Sequence, residues 1–414
     1  MIFPFVVLSL LVSGIAAFPL TSSHSSVSDL SIPIRKQVNV TSGHNLVRAG
    51  HFRAQSFRNR AASKNRSGPS PKKRQEVPVV NEAITYIAEV TVGVDNQTFH
   101  LLVDSGSSNT WVGANASYTY IPSTSSVWTD DIVIVDYGSG YFFGYEYFDT
   151  VALSNELIIK NQSIGVADFQ QGFNSMDGIL GIGPVDLTDG TILGSLVMSN
   201  LPTVSDNLFS EGVISTEVVG VSFVPTTGAS NEPEGELIFG DIGGSSRFTG
   251  QITYTPKETD YWGITQSISY GDTEIMASAI GVVDTGTTLN YMPTDTFNAY
   301  INFTGGTFDE ATGLYEITQE QYDALDNLIF TIGGVSTDFP LTANAQIWPR
   351  DLNENIGGEE GKIYLAAVAT GMYPIEDLNF INGYVFLERF FSIFDNSNSK
   401  MGFATTSYTN ATTN

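Results

Sequence analysis

Residues 102–112 read LVDSGSSNTWV, and 180 positions later residues 282–292 read VVDTGTTLNYM. A repeat at that distance is far longer than the period of a solenoid, so it predicts one architecture built twice: two similar lobes in a single chain. In each copy an apolar strand, 100–103 and 279–283, runs into an Asp followed by a hydroxyl residue and Gly. The seam between the lobes is expected near residues 250–260.

The rest of the chain from residue 77 fits this plan. Short alternations such as AITYIAEVTV at 83–92 are broken about every ten residues by Gly, Asn, Asp or Ser, which reads as mainly β structure. Two helices are expected. One is 318–329 (TQEQYDALDNLI), with an N-cap Thr and apolar Tyr322, Leu325 and Leu328; the other is 293–301.

Charge divides the 414 residues unevenly. Residues 1–17, MIFPFVVLSLLVSGIAA, form a short apolar run ending in small residues, which reads as a secretory signal rather than a spanning anchor, although it lacks the usual basic start. Residues 18–74 carry eleven Lys and Arg against one acid, Asp29, and end in Pro71-Lys72-Lys73-Arg74, an exposed-looking site for a processing protease. The remainder holds seven basic and 43 acidic groups, a formal −36. We read 18–74 as a basic propeptide, 75–255 as a first lobe with Asp104, and 256–414 as a second with Asp284. A solvated basic arm for nucleic acid or membranes is the alternative for 18–74, and the acidic remainder disfavours it. With no Cys, thiol chemistry and disulfides are excluded. The polar C-terminal TTSYTNATTN offers neither lipid anchor nor retention signal, so release to the extracellular medium is expected, with a vacuolar lumen as second choice.

A single Asp-Ser/Thr-Gly triplet is an ordinary turn. The chain has two and only two, in matching context. The Gly permits a tight turn and close backbone approach, and the hydroxyl can hold the carboxylate still. If the lobes bring the turns together, two carboxylates some ~3 Å apart cannot both ionise, and one proton is shared. One member can then act as base on a water while the other donates a proton to a carbonyl oxygen and a leaving amine, with the assignment belonging to the pair and activity expected at acid pH. Elimination agrees. After Arg74 the only His is His100, four residues before Asp104, which we read as a strand residue without a catalytic role; no His or Cys cluster suits a metal, and Gly240-Asp241-Ile242-Gly243-Gly244 lacks the Lys of a phosphate loop. No cofactor, metal or nucleic acid is expected.

These residues resemble the pepsin family across about 77–409. Alongside the two triplets, MDGILGIG at 176–183 is similar to the segment supporting the first catalytic loop, and FINGYVFLERF at 380–390, with Phe394-Asp395 and residues 401–404, to its counterpart. The resemblance implies a mainly β, bilobal pepsin-like fold of two β-barrel-like lobes with the active site in the cleft between them. It implies an aspartic endopeptidase, a hydrolase of proteins and peptides that acts as a monomer and is blocked by pepstatin-like inhibitors and by its own propeptide. Asp104 and Asp284 would be catalytic. Ser105 and Thr285 would brace the two loops, Ser107 and Thr287 would bond the outer carboxylate oxygens, and Gly106, Gly286, Gly138 and Ser139 would touch substrate backbone. Tyr137 would head a β-hairpin flap and hydrogen-bond Trp111. Asn382 departs from the family pattern, standing where an apolar residue is usual. Phe169 and Phe173 are candidate pocket walls, and a preference for bulky apolar side chains is expected.

The opposed charges suggest that the propeptide lies over the acidic cleft at neutral pH and is released on acidification, with Lys36 a first candidate to reach the carboxylates. Sequons at Asn96, Asn115, Asn161, Asn302 and Asn410 are candidate N-glycan sites. Two rivals stand. A catalytically silent relative that binds through the same cleft is disfavoured because both aspartates, Tyr137 and both hydroxyl partners are present. A glycosidase, which also uses paired carboxylates, needs no duplicated Ser/Thr-Gly frame.

Overall fold

The computed structural model describes residues 30–64, 83–115, 118–173, 175–194, 200–226, 234–243, 246–333, 337–371 and 378–414. Residues 1–17, read as a signal peptide, and Pro71-Lys72-Lys73-Arg74, read as a processing site, lie outside them. Alternation of buried and exposed side chains makes the chain mainly β, as expected, and the strands among the described residues fall into three sheets. The largest has 14 strands. Its middle runs through β1 (Leu30–Asn39), β2 (Ala83–Val92) and β3 (Gln97–Asp104), and continues to the first-lobe strands β4 (Trp111–Val112), β5 (Val127–Asp136), β6 (Tyr141–Ala152), β7 (Ile158–Gln171) and β8 (Gly178–Gly181). On the far side of β1 lie strands Gly235–Phe239, Val218–Phe223, Phe390–Asp395, Lys400–Thr405 and Thr253–Pro256. This sheet thus takes strands from both halves of the chain.

The second lobe has its own seven-stranded sheet. At its centre, Thr273–Val283 is flanked by Gly263–Tyr270 and by the short strand Ile381–Asn382. Each lobe repeats one construction: an antiparallel neighbour on one side of the Asp-bearing strand and a parallel strand on the other. Large apolar groups pin the lobes together. Trp262 is fully buried, and its Nε1–H donates to the Ile182 carbonyl of the other lobe at 3.1 Å.

Two expected helices come out differently. Thr294–Thr304 forms after Pro293 and stops at Gly305, whose φ of 69° is a left-handed cap. Of the expected 318–329 helix only Gln319–Asp323 exists, capped by Thr318 as its sequence suggests. From Leu328 the chain is a strand paired with Gly263–Tyr270 and Asp338–Leu341, because Leu328, Phe330 and Ile332 are buried with a period of two.

The basic segment supplies β1 and α1 (Gly43–Lys64). β1 sits inside the large sheet, paired antiparallel with Gly235–Phe239 through Leu30 to Ile34 and with β2 through Ile34 to Asn39. α1 crosses the cleft between the lobes. It touches the second lobe through the Tyr291 hydroxyl, which donates to the Val47 carbonyl at 3.0 Å, and through His51 Nε2 against the Ala369 carbonyl at 2.8 Å. It touches the first through Arg60 Nη2, which donates to the Asp186 and Asp189 carbonyls at 3.1 and 3.0 Å.

Candidate active site

β3 and Thr273–Val283 deliver Asp104 and Asp284 to the same point, each 0% exposed. The two turns are tied across the lobes by a symmetric set of bonds. Ser105 N–H donates to Thr285 Oγ1 at 2.8 Å and Thr285 N–H to Ser105 Oγ at 2.9 Å. Each hydroxyl then donates onward to the opposite strand, Ser105 to the Val283 carbonyl at 3.2 Å and Thr285 to the Val103 carbonyl at 3.0 Å. Ser107 and Thr287 donate to the Oδ2 atoms of Asp104 and Asp284, each at 2.5 Å, and the Gly106 and Gly286 N–H groups to the Oδ1 atoms at 3.0 Å. The glycines are required by closeness. A Cβ on Gly106 would lie 2.6 Å from Asp284 Oδ1, and one on Gly286 2.7 Å from Asp104 Oδ1.

Between the carboxylates stands Arg53 of α1. Its Nη2–H group bonds Asp104 Oδ1 and, at 3.0 Å, Asp284 Oδ1, while Nε–H donates to Asp284 Oδ2 at 3.0 Å. The guanidinium therefore forks onto Asp284 and bridges to Asp104, and it stacks 4.9 Å over the ring of Phe57, which leans on Tyr261. Lys36, the first candidate for this place, goes elsewhere. β1 sets it opposite Tyr86, where its buried ammonium pairs with Glu234 at 2.7 Å. Sequence reading missed Arg53 because eleven cations were available. Its one signal was local: Phe52, Ala54 and Phe57 give it an apolar setting in a polar segment.

One cation facing two buried carboxylates sets their electrostatics. For Asp104, burial raises the pKa most; Arg53 opposes this and the charge on Asp284 adds to it, leaving the group above the usual carboxylate range. Burial also pushes Asp284 up, but the Arg53 charge and the hydrogen bonds from Arg53, Thr287 and Gly286 outweigh it, and the group lies below that range. Burial lowers Arg53, the two carboxylates raise it further, and it stays charged at any ordinary pH. The same cation and the same burial thus push the two carboxylates apart, Asp104 upward and Asp284 downward.

β5 and β6 form a hairpin over the site, closed by the Tyr137 N–H donating to the Gly140 carbonyl at 2.8 Å, with Gly138 at φ 79° and Ser139 half-buried at its tip. α1 lies under this tip, with the Ser56 hydroxyl donating to the Asp136 carbonyl at 3.4 Å. Tyr137 and Trp111 are both buried with ring centroids 6.5 Å apart, and the Trp111 Nε1–H and the Tyr137 hydroxyl interact loosely, outside strict hydrogen-bond geometry. Phe173 stands nearly perpendicular to both rings, at 5.2 Å from each. Phe173 is thus part of the wall under the flap, whereas Phe169 is exposed on its outer side against Tyr141. His100 stands apart from the carboxylates, its Nδ1 3.2 Å from Asp177 Oδ2. Asn96, Asn161, Asn302 and Asn410 are exposed and Asn115 is half-buried. No group of three or more His, Cys, Asp or Glu suited to a metal ion occurs among the described residues.

Comparison with known proteins gives concordant results. Residues 85–406 match the family model described as eukaryotic aspartyl protease. The chain is 52% identical over 344 residues to polyporopepsin of Irpex lacteus, covering 82% of this chain and 99% of that protein. It is 29% identical over 339 residues to gastricsin of Callithrix jacchus, covering 77% and 81%. Among solved structures it is similar to the crystal structure of aspartic proteinase from Irpex lacteus, at 51% identity and a TM-score of 0.75, covering 80% of this chain and 96% of that one.

Proposed function

The chain belongs to the eukaryotic aspartyl protease family and is an aspartic endopeptidase, and from that premise we propose that Asp104 and Asp284 are its catalytic pair, that residues 18–74 form a propeptide locking the pair through Arg53, and that the protein is secreted. The observation that carries the first claim is the crossed Ser105–Thr285 bonding, which fixes two buried carboxylates within reach of a single guanidinium nitrogen.

With Arg53 gone, the Oδ1 atoms of the two carboxylates face a common space between them. A water held there loses a proton to the ionised member as it attacks the peptide carbonyl carbon. The protonated member donates to the carbonyl oxygen, and collapse of the tetrahedral intermediate sends a proton to the leaving amine. The bonds to Oδ2 from Ser107 and Thr287, and to Oδ1 from the glycine N–H groups, keep both carboxylates in place without contributing charge of their own. Tyr137, Gly138 and Ser139 close over the peptide, and Trp111 backs Tyr137. The lobes are taken as residues 75–255 and 256–414, behind a signal peptide at 1–17.

In support of the lock, Arg53 occupies the space a substrate carbonyl would need, and α1 touches both lobes and the flap. In support of secretion stand the apolar N-terminal run and the five sequons; no helix among the described residues is long and apolar enough to cross a membrane. The test is cleavage of denatured globin at acid pH by the activated protein, with and without pepstatin, beside the Asp104→Asn variant. The expected result is abolition by the inhibitor and a loss of about 10²–10⁴-fold in kcat for the variant; activity surviving either change overturns the assignment.

A further inference from the structure

The loops bearing Asp104 and Asp284 are alike, but the strands beneath them are not. In the second lobe the Asn382 carbonyl accepts from the Asp284 N–H at 3.1 Å, so the strand Ile381–Asn382 sets the height of that aspartate. Asn382 is 1% exposed, and so is Gln266 on the strand Gly263–Tyr270. Their amides meet head to head. Asn382 Nδ2–H donates to Gln266 Oε1 at 2.8 Å, and Gln266 Nε2–H donates to Asn382 Oδ1 at 3.2 Å. The pair spans the strand that carries Asp284.

The first lobe supplies the comparison. Leu180 is opposite Val103 as Asn382 is opposite Val283. Val90 is opposite Phe99, four residues before Val103, as Gln266 is opposite Ala279, four residues before Val283. Two fully buried apolar residues, Val90 and Leu180, therefore stand where the second lobe has two amides. Buried amides cost free energy unless paired, so packing alone does not call for them. Backbone pairing does not call for them either, because it is alike in the two lobes: the Asn379 N–H donates to the Ile280 carbonyl at 2.8 Å and the Val282 N–H to the Phe380 carbonyl at 3.0 Å, as the Asp177 N–H donates to the His100 carbonyl at 3.0 Å. What the second lobe adds is a side-chain bridge across the strand that carries Asp284.

We propose that Gln266 and Asn382 are positioning residues for the reaction: their paired amides bridge the strand that carries Asp284 and hold the Asn382 carbonyl against the Asp284 N–H. This rests on the reading of Asp104 and Asp284 as the catalytic pair. Apolar side chains fill the same space but fix no direction, and a carboxylate displaced by a fraction of an ångström shares its proton less well. The lower apparent pKa of the pair then rises.

The experiment gives the second lobe the first lobe's residues, Gln266→Val with Asn382→Leu, in the full-length zymogen activated by acid. A second double variant, Gln266→Asn with Asn382→Gln, exchanges the two amides. The apolar pair is expected to keep Tm within a few degrees and KM within about twofold, while kcat falls about tenfold and the low-pH limb of kcat moves upward. The exchanged pair is expected to keep kcat within about threefold, with the limb unmoved. Wild-type kcat and pH profile in the apolar variant overturn the proposal. If that variant does not accumulate, the exchanged pair decides alone: wild-type Tm with a tenfold loss of kcat overturns the proposal, and retained kcat supports it. Asp284→Asn is measured alongside, because activity surviving there removes the catalytic reading itself, whereas wild-type kinetics in the amide variants remove only this inference.

Discussion

Ser105 and Thr285 show how much a single hydroxyl can carry when it is buried at a point of near symmetry. Each accepts from one backbone N–H and donates to one carbonyl, all on the opposite lobe. Ser105→Ala leaves the Thr285 N–H and the Val283 carbonyl unpartnered in a dry interior, a cost of about 1–3 kcal/mol for an unmade bond. Thermal unfolding should show a Tm several degrees lower, with kcat falling more than KM rises; an unchanged Tm would mean that other groups satisfy both atoms. Arg53 makes the opposite kind of contribution, one tied to pH. The Asp284 pKa is lowered in the folded chain, so its share of stability is present above the ordinary carboxylate value of 3.8 and is lost as pH falls through the depressed folded value. Arg53→Gln should remove that share and leave the carboxylates uncompensated, destabilising the chain by about 3–5 kcal/mol near neutrality and removing the fall in Tm that Asp284 titration causes below about pH 5. Differential scanning calorimetry between about pH 3 and 7 decides the matter; a variant as stable as wild type at pH 7 would show that Arg53 carries no such load.

At the scale of strands and helices, the base of the flap hairpin holds a second ionisable group under strain of burial. Glu146 on β6 is 3% exposed, and its pKa is pushed up to about 8 by burial, with Ser163 pulling it down and Asp131 pushing it up. Because the folded value lies above the unfolded one, the stability Glu146 contributes is fully present below its ordinary value of 4.5 and is lost as pH rises through about 8. Glu146→Gln should therefore match or slightly trail wild type at pH 5 and exceed it in Tm at pH 8.5; a Tm difference independent of pH would show that Glu146 is ionised throughout. The same scale shows where sequence reading works. The echo at 102–112 and 282–292 exposes the paired turns because their chemistry is local: strand, carboxylate, hydroxyl, glycine. The 318–329 segment misled because its capping box is also local and real, yet Leu328, Phe330 and Ile332 are claimed by a sheet that no nearby residue announces. Arg53 was hidden for a similar reason, since which of eleven cations reaches the cleft is decided by where α1 crosses, not by its own neighbours. Asn382 stood out as a departure from pattern, but Gln266, 116 residues earlier, gave no sign of being its partner.

Across the whole molecule, a segment of formal +10 is held on a body of −36, and the structure separates bulk attraction from specific contact. The Lys36 and Arg53 side chains are 2% and 8% exposed, against Glu234 at 8% and the catalytic-pair candidates at 0%. Pairs so enclosed are screened little by salt, whereas exposed charges more than ~8 Å apart are screened strongly at physiological ionic strength. Acid activation should accordingly keep nearly the same midpoint pH when NaCl is raised to about 1 M, while Lys36→Gln should move the midpoint upward. Following release of the propeptide by gel electrophoresis over pH 3–7 tests both, and a midpoint that salt moves as far as the Lys36 substitution does would return the control to the overall charge. The fork of Arg53 has one more consequence, and it concerns timing. One guanidinium bonds both carboxylates, so withdrawing α1 uncovers the two in a single step and leaves no stage in which one is open while the other is still covered.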